Sequence, residues 1–447
     1  MIHRSTTRTW SNSESNILPF AKFCLVLSLL VCALAGCREA SSRSPGTLDD
    51  NARQYIRLAV ALGERDPDAL DYYVGPDNLT ADIRRNPPKL TKIKQSATEL
   101  SNALAGMPTF SREGEQRKRF LSAQIHAIAA RADLVLRVQS SLPKSSFDEE
   151  VYELFGVRFS RQGDSRLSAV RRQIAVLLGP GHGTLAERYS SFEQKLLIPE
   201  ERIPAVMARS LEFCRKQSLL HLKLPAGESV RLEYVRNKPW RAFSYYKGRY
   251  QSVIQVNVDL GLTPDGALQL ACHEGYPGHH VFNSLAEENM VRTRHRLEWS
   301  VQPTFSPQSF LSEAAASFAG ELAFSASERA QIEQNVLFPL AHVKWNAVPK
   351  AVRIQELVDS LHPAELAIAR EYLDERLEYA RAGQAFQEQA LMQNPDPTLR
   401  YLNEYRSYVV TYTEGRDRVM DWVDAHAGNP PDRWRAFADL LASPDLF

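Results

Sequence analysis

The most informative stretch of the chain is His273-Glu274-Gly275-Tyr276-Pro277-Gly278-His279-His280. Two histidines can hold a divalent metal, and a glutamate directly after the first can take a proton from an attacking water. In zinc peptidases with an unbroken metal helix the two histidines are four residues apart. Here His279 comes six residues after His273, and His280 comes seven residues after it.

A regular α-helix would not bring these histidines to one ion. Six residues turn the second side chain by about 120°, and seven restore the phase but add roughly 10 Å of rise. Ligand nitrogens lie about 2 Å from zinc, so the helix must be distorted between His273 and His279. Pro277 clashes with the carbonyl four residues earlier, and Gly278 accepts dihedral angles that other residues avoid. We therefore expect a bulge that pulls His279 back toward His273.

The residues before the motif predict a buried helix. Thr263-Pro264-Asp265-Gly266 is a typical helix start, with threonine as the N-cap and proline at the first helical position. Residues 267–272 are almost all apolar, so His273 and Glu274 enter a helix in which an unpartnered charge is costly. This favours a metal site over the alternative of two satisfied core histidines.

The segment from His273 to His279 resembles the signature of a bacterial family catalogued as domain of unknown function 885, helical relatives of the gluzincin zinc metallopeptidases. That signature reads His-Glu, two variable residues and Pro-Gly-His, and this chain keeps all of it. The family continues with a helix resembling Glu-Gly-Trp-Ala, where this chain has Glu313-Ala314-Ala315-Ala316. The resemblance implies that Glu313 is the third metal ligand. It also implies a mainly α, elongated two-lobed, zincin-like metallopeptidase fold, with a small β-hairpin or sheet beside the metal helix.

The helix that contains Glu313 carries a polar stripe. Glu313, Ser317 and Glu321 stand at i, i+4 and i+8 and therefore share one face. The stripe could be a solvated face, but the helix is otherwise small and apolar, which favours burial against the metal helix. Glu321 is then an alternative metal ligand, or a carboxylate that orients a histidine.

A strand is predicted ahead of the motif. Val253 to Asp259 alternates in polarity and is rich in β-branched residues, and Arg231 to Val235 could pair with it as a short hairpin. An edge strand beside a metal helix can bind a peptide by backbone pairing. We expect Tyr246 and Asn257 to bind substrate, Asn257 because the resembling family has an asparagine shortly before its motif. A purely structural hairpin is the alternative.

Downstream, Tyr401 to Asp424 is predicted to be strongly helical. Within it, Tyr412-Thr413-Glu414-Gly415 resembles the late Tyr-x-x-Gly element of the same family, without its preceding Pro-Gly-Gln. A phenol near the metal could donate a hydrogen bond to the oxyanion formed when water attacks a carbonyl, so Tyr412 is the candidate catalytic donor. Packing is the alternative role. The weaker candidates for oxyanion or substrate contact in this region are Tyr408, Arg416 and His362.

The amino terminus predicts export and lipid anchoring. The apolar run 23–33 is preceded by basic residues and is too short for a comfortable membrane span. Leu34-Ala35-Gly36-Cys37 resembles the bacterial lipobox. We expect residues 1–36 to be a lipoprotein signal peptide, Cys37 to be lipidated and 37–46 to be a Ser-rich tether. An arginine rather than aspartate after this cysteine favours the outer membrane, with the protein facing the periplasm. A plain anchor helix is the alternative.

From Thr47 onward, helical patterns follow almost without interruption. No Gly/Ser linker divides them, which favours one helical domain over residues 47–447. We expect an N-terminal lobe at about 47–225 and a catalytic part at about 226–447, around a cleft. The clearest helical patterns cover residues 51–61, 117–136, 165–178, 205–218 and 364–380.

Composition fits a packed globular protein. Hydrophobic residues make up 44% of the chain and the formal net charge is +1, which indicates neither disorder nor a nucleic-acid-binding surface. With Cys37 lipidated, Cys214 and Cys272 could pair in an oxidising compartment. Alternatively, Cys272 simply packs beside the metal helix. A catalytic thiol there is disfavoured because side chains at i and i+1 diverge.

These features predict a lipid-anchored, Zn²⁺-dependent hydrolase that cleaves peptide bonds. His273, His279 and Glu313 would hold the zinc, and Glu274 would act as the general base. The alternative from another class is a noncatalytic envelope lipoprotein that binds peptides or a partner on a degenerate peptidase scaffold. Among enzymes, an amidase for cell-wall peptides is the alternative.

Overall fold

The computed structural model describes residues 47–159, 164–344, 346–429 and 432–442. Thr47–Phe447 form one compact unit. The predicted signal peptide 1–36, the lipidation site Cys37 and the tether 37–46 lie outside the described residues and stay predictions. Among the helices described, none combines the length and apolar character that crossing a bilayer requires.

The described part of the chain is mainly helical with a small amount of sheet, as predicted. Its strands are β1 (Leu70–Tyr73), β2 (Ser229–Val235), β3 (Ala242–Gly248), β4 (Gln251–Asn257) and β5 (Val301–Pro303). Its α-helices are α1 (Leu48–Gly63), α2 (Ala81–Arg85), α3 (Leu90–Ala105), α4 (Arg112–Gln139), α5 (Phe147–Phe155), α6 (Asp164–Leu178), α7 (Leu185–Glu193), α8 (Ile203–Leu219), α9 (Pro264–Glu274), α10 (His279–Ala286), α11 (Pro307–Ala323), α12 (Ala326–Ile332), α13 (Phe338–Ala341), α14 (Val348–Asp359), α15 (His362–Leu373), α16 (Tyr379–Gln389), α17 (Pro395–Tyr405), α18 (Glu414–His426) and α19 (Asp432–Ala442).

Most of the helical patterns lie within helices of the structure, but the pattern at 364–380 covers a break. α15 ends at Leu373, and Glu375 adopts a left-handed φ of 61° before α16 begins. The amides of Arg376 and Leu377 both donate to the carbonyl of Glu371, which closes the end of α15. The prediction of one continuous helix there was therefore wrong.

The larger sheet has the order β2-β4-β3. β2 pairs with β4 in parallel, so the predicted hairpin between Arg231–Val235 and the strand before the motif was wrong. The antiparallel partner of β4 is β3, reached through Arg249 and Tyr250, whose φ values are 56° and 61°. Two positive φ values in a row suit a tight hairpin turn, but the sequence there lacks the usual Asn-Gly signal. A second, two-stranded sheet pairs β1 with β5.

The two helices of the motif, α9 and α10, lie in one hydrophobic core, and α11 links this core to a second one. The first core is built by α8, α9, α10, α11, α18, α19 and β4. The second gathers α1, α3, α4, α5, α15, α16 and α17, and Phe310 of α11 belongs to it. Both cores draw residues from either side of residue 225, and the division into two lobes at that point stays a prediction.

Two features hold α9 firmly in place. Cys214 of α8 and Cys272 of α9 form a disulfide with a Cα–Cα distance of 5.3 Å, which settles the question of their pairing. On the other side, α9 packs closely on α11 at Gly320. A Cβ atom at Gly320 would lie 1.8 Å from Oε1 of Gln269, so a larger residue there would displace the side chain of Gln269.

Candidate metal centre

The metal motif is divided between two helices. α9 ends at Glu274, the segment 275–278 turns the chain with a cis Tyr276–Pro277 bond, and α10 begins at His279. The distortion is therefore a full break, larger than the predicted bulge. The turn closes where the amide of Gly278 donates to the carbonyl of Cys272 at 3.0 Å. A Cβ atom at Gly278 would lie 1.8 Å from the carbonyl oxygen of His273, so the turn requires glycine.

This break brings together the three residues that the sequence predicted as ligands. His273, His279 and Glu313 each offer a ligand atom, and these atoms lie within 4.8 Å of one another. The Nε2 atoms of His273 and His279 lie 3.4 and 3.3 Å from the two carboxylate oxygens of Glu313. Tetrahedral ligands about 2 Å from zinc are separated by roughly 3.3 Å, so these spacings fit one such ion.

The hydrogen bonds around the cluster leave its ligand atoms available. Nδ1 of His279 lies 3.1 Å from Oγ of Ser312, and the Tyr408 hydroxyl donates to Oε1 of Glu313 at 3.1 Å. The other carboxylate oxygen of Glu313 is buried and has no hydrogen-bond partner. A buried carboxylate oxygen that accepts no hydrogen bond is costly, and a cation between it and the two imidazoles would satisfy it. The residues therefore fit a divalent metal.

Electrostatics bind the cluster together. Burial alone would raise the pKa of Glu313, but the two histidines outweigh it and hold that pKa well below its ordinary value. Burial lowers the pKa of His279, whereas the charge of Glu313 outweighs this effect and raises it to about 9. Without a metal, a proton on His279 compensates the carboxylate. A metal ion would replace that proton, since it binds neutral imidazole.

Glu274, the predicted general base, lies beside the cluster. It is the last residue of α9, with 5% of its surface exposed, directly beside His273. Burial raises its pKa, the histidines of the cluster lower it and Glu313 raises it further. A buried carboxylate with a raised pKa is better matched to proton transfer near neutral pH than an ordinary one.

Two tyrosines reach the cluster from a break between α17 and α18. The ring of Tyr412 stacks on that of His273 with centroids 6.2 Å apart, and its hydroxyl lies 3.1 Å from that of Tyr401. Tyr408, the weaker candidate of the sequence, hydrogen-bonds Glu313 directly. The prediction of one helix over residues 401–424 was wrong, since a 3₁₀ segment Arg406–Thr411 interrupts it.

The break has an identifiable cause. Arg406 adopts a left-handed φ of 51°, and its side chain donates to the buried carboxylate of Glu150 at 2.7 Å. The same carboxylate accepts hydrogen bonds from the amide and the hydroxyl of Ser407. Glu150 of α5 thus stabilises the backbone turn that points Tyr408 at the cluster.

Asp71 of β1 is a site residue that sequence reasoning missed. One of its carboxylate oxygens accepts a hydrogen bond from Nε2 of Gln302 at 2.8 Å, and the other is buried without a partner. Burial raises its pKa to about 7, His279 acts to lower it, and Glu313 and Glu274 act to raise it. Asp71 thus faces the cluster. No local pattern in the sequence marks it, because strand pairing with β5 brings it there.

The predicted substrate-binding residues before the motif have structural partners. The side-chain nitrogen Nδ2 of Asn257 donates to the backbone carbonyls of Lys238 and Trp240, and its side-chain oxygen Oδ1 accepts from the backbone amide of Asp259. The hydroxyl of buried Tyr246 donates to Glu287 at 2.6 Å. Both side chains stabilise loops around β3 and β4, and their contact with a substrate stays a prediction.

The remaining candidates lie apart from the three ligands. Glu321 is an exposed residue that pairs with Arg416 and Arg433, so the alternative that it binds the metal or orients a histidine was wrong. Arg416 also lies 3.1 Å from Asp417. His362 pairs with Glu365 at 3.4 Å, and its contact with a substrate stays a prediction.

A second buried network supports the turn of the motif. Nε2 of His280 lies 2.9 Å from the carboxylate of Glu228, and Nδ1 lies 2.9 Å from Oγ of Ser252. The hydroxyl of Tyr276 and the guanidinium of Arg215 donate to the same carboxylate. Glu228, the residue before β2, therefore holds Tyr276 within the turn and His280 just after it, which explains why the eighth residue of the motif is a histidine that does not join the cluster.

No protein-family model matches the chain, and no curated protein does. Its resemblance to the domain of unknown function 885 therefore rests on the motifs alone. Among solved structures, the chain is similar to a protein described as a lipoprotein, from Colwellia psychrerythraea, with a TM-score of 0.49 and 13% identity over 81% of this chain and 71% of that one. It is also similar to an M32 carboxypeptidase from Deinococcus radiodurans R1, with a TM-score of 0.47 and 13% identity over 89% and 90%.

A third similar structure is a protein described as a lipoprotein of unknown function, from Shewanella oneidensis. The TM-score is 0.46, with 11% identity over 97% of this chain and 94% of that one. At this level of similarity the neighbours say nothing about activity. The role of the site rests on its own residues.

Proposed function

We propose that the protein is a zinc-dependent hydrolase that cleaves peptide bonds. The observation that carries the proposal is the convergence of His273, His279 and Glu313 on one point, with a carboxylate oxygen of Glu313 that is buried and accepts no hydrogen bond. Two imidazoles and one carboxylate are a common ligand set of catalytic zinc, and they leave a fourth position open. A zinc ion bound there supplies a Lewis acid that lowers the pKa of water to about 7.

The protein's own groups supply the proton transfers. Glu274 takes the proton from the attacking water and returns it to the leaving amine. Tyr412 donates a hydrogen bond to the oxyanion that develops on the scissile carbonyl. Tyr408 is engaged with Glu313, so it orients the ligand carboxylate.

The strand predicted before the motif, β4, is the central strand of its sheet, so it has no free edge for a peptide. The peptide is proposed to bind along β3 instead. This strand is an edge of the three-stranded sheet, and it packs beside both helices of the motif. An extended peptide can pair with such an edge through its backbone. Phe243 and Tyr245 form a partly buried aromatic pair on this strand, with ring centroids 4.6 Å apart, which can receive apolar side chains.

The proposed location is the periplasmic face of the bacterial outer membrane, reached through a lipid on Cys37. The disulfide between Cys214 and Cys272 supports an oxidising compartment outside the cytoplasm. Mass analysis of the amino-terminal peptide after expression in a Gram-negative host tests this location. A diacylglyceryl cysteine is expected at Cys37, and an unmodified thiol there contradicts the anchor.

Peptide-library cleavage tests the activity. The purified zinc-loaded protein is expected to cleave members of a diverse peptide library, and Glu274→Gln is expected to retain its zinc while losing about a hundredfold or more of the rate. Full activity of Glu274→Gln contradicts the mechanism. Cleavage of amide bonds in cell-wall peptides, without cleavage of the library peptides, identifies the amidase alternative. The same residues would carry out that reaction.

Binding of peptides without turnover in the same experiment identifies the noncatalytic alternative. The loss of the family's Gly-Trp pair is a weak argument for it. Ala314 and Ala315, which replace that pair, are buried in the first core and pack away from solvent. The replacement therefore changes packing behind the ligand helix and leaves the three ligands in position.

A further inference from the structure

Asp71 brings a third carboxylate to the metal cluster. It hydrogen-bonds Gln302 of β5, a strand that packs against the helix α11 carrying Glu313, and one of its oxygens is buried with no partner. The charges of His279, Glu313 and Glu274 all act on its pKa. Its other oxygen is fixed by Gln302, so the carboxylate has a defined orientation. An unpaired buried carboxylate oxygen is costly to maintain, which indicates that a ligand group satisfies it in the working protein.

The charge around the cluster defines what that group is. When ionised, Asp71, Glu274 and Glu313 together carry three negative charges, so a divalent ion between two neutral histidines leaves one negative charge uncompensated. Among the residues that the structure describes, no lysine or arginine pairs with Asp71, Glu274 or Glu313. No described lysine or arginine neutralises these carboxylates, and Asp71 therefore offers a free acceptor for the amine of a peptide.

We propose that Asp71 binds the free α-amino group of the peptide substrate, so that the enzyme acts at the amino end of unblocked peptides. This inference rests on the proposed peptidase function. Because Asp71 faces the same groups that attack the carbonyl, the amine is held close to the scissile bond, and the first peptide bond of the chain is the one presented. An ammonium group donates charge-assisted hydrogen bonds to a carboxylate, which acetylation of the amine abolishes.

Binding measured without turnover tests the assignment. The zinc-loaded Glu274→Gln protein is titrated calorimetrically with tetra-alanine, either free or acetylated at its amino end. The free peptide is expected to bind at least about tenfold more tightly, the usual contribution of a hydrogen bond to a charged group. Adding Asp71→Asn is expected to reduce the affinity for the free peptide to that for the acetylated one. Zinc content should stay the same.

Gln302→Met supplies the matched control. It removes the protein partner of Asp71 but keeps the carboxylate, so discrimination between the two peptides is expected to persist. A purely structural Asp71 predicts instead that Gln302→Met and Asp71→Asn behave alike, and that result overturns the assignment. So does equal affinity of the Glu274→Gln protein for both peptides. Loss of zinc in Asp71→Asn overturns it too, since Asp71 would then be a ligand.

Failure of the inference and failure of the proposed function are distinguishable. If the wild-type protein holds zinc and cleaves peptides but Asp71→Asn leaves the preference for the free amine unchanged, only the role of Asp71 is refuted. If the wild-type protein neither holds zinc nor cleaves peptides, the proposed function is refuted, and the role of Asp71 with it.

Discussion

Nδ1 of His279 lies 3.1 Å from the hydroxyl oxygen of Ser312, the residue before the proposed ligand Glu313. When Nδ1–H donates to this oxygen, Nε2 keeps its lone pair toward Glu313 and the metal position. Loss of such a partner usually costs ten- to a hundredfold in metal affinity, so Ser312→Ala is expected to weaken zinc binding by about that factor. A chelator competition titration measures this. Ser317→Ala, on the same helix, is the control, and equal affinities of the two variants contradict the orienting role.

Substitution of Tyr408 and of Tyr412 should affect different quantities, zinc affinity for Tyr408 and kcat for Tyr412. Tyr412→Phe is expected to lower kcat by about a hundredfold with unchanged zinc affinity, because its hydroxyl acts on the oxyanion only. Tyr408→Phe removes a hydrogen bond to Glu313, so it should weaken zinc binding as well. Steady-state kinetics and chelator competition on both variants give the comparison. A Tyr412→Phe protein with full kcat leaves Tyr412 with a packing role alone.

Gly278 is the tightest point of the motif. Gly278→Ala would place a Cβ atom 1.8 Å from the His273 carbonyl oxygen, so the turn cannot form as it stands. We expect a loss of more than about 3 kcal/mol in the free energy of unfolding, or loss of zinc binding if the turn opens instead. Urea unfolding and metal analysis report both. Gly106→Ala, where the nearest atom lies 3.9 Å from the Cβ position, should be close to neutral. A stable, zinc-binding Gly278→Ala protein contradicts the described turn.

Glu228 should give the protein a pH-dependent stability. Burial acts to raise its pKa, but hydrogen bonds from His280, Tyr276 and Arg215 outweigh it and lower the pKa from 4.5 to about 2. A carboxyl with a lowered pKa in the folded state stabilises the fold above pH 4.5, and this contribution is lost as pH falls toward 2. At pH 7, Glu228→Gln is expected to be about 1–3 kcal/mol less stable than the wild type.

The difference between the two proteins should narrow from pH 5 to pH 3, because the wild type loses its contribution there while the neutral glutamine has none to lose. Urea unfolding across this range measures it. Glu201→Gln is the control, since the side chain of Glu201 is exposed and its replacement should change stability little at any pH. A constant difference at all pH values contradicts the assigned pKa.

The sequence predicted that His273, His279 and Glu313 come together, but not the shape of the turn that brings the two histidines together. Spacing and metal geometry require a distortion between His273 and His279, and Pro277 and Gly278 show where it falls. Those rules do not distinguish a bulge from a helix end. The choice depends on partners far away in the chain, such as Glu228, whose carboxylate holds Tyr276 and His280.

The places of Asp71 and Tyr408 in the site could not be predicted either, because they also depend on residues far away in the chain. Asp71 reaches the cluster through pairing of β1 with β5, and Tyr408 through a helix break that Glu150 stabilises. No glycine or proline marks that break, since Arg406 itself takes the left-handed φ. The local periodicity of a single sequence predicts helices and strands, but it does not show the contacts and helix breaks that tertiary partners impose.

The most direct test of the central claim is the zinc content of the purified full chain and of two variants on one helix, after equilibration against a competing chelator. The wild type and Glu321→Gln are expected to hold one zinc ion per chain, because Glu321 is exposed and pairs with arginines. Glu313→Gln is expected to bind zinc at least about a hundredfold more weakly. Equal zinc in Glu313→Gln and the wild type, or no zinc in the wild type, would contradict a metal held by His273, His279 and Glu313.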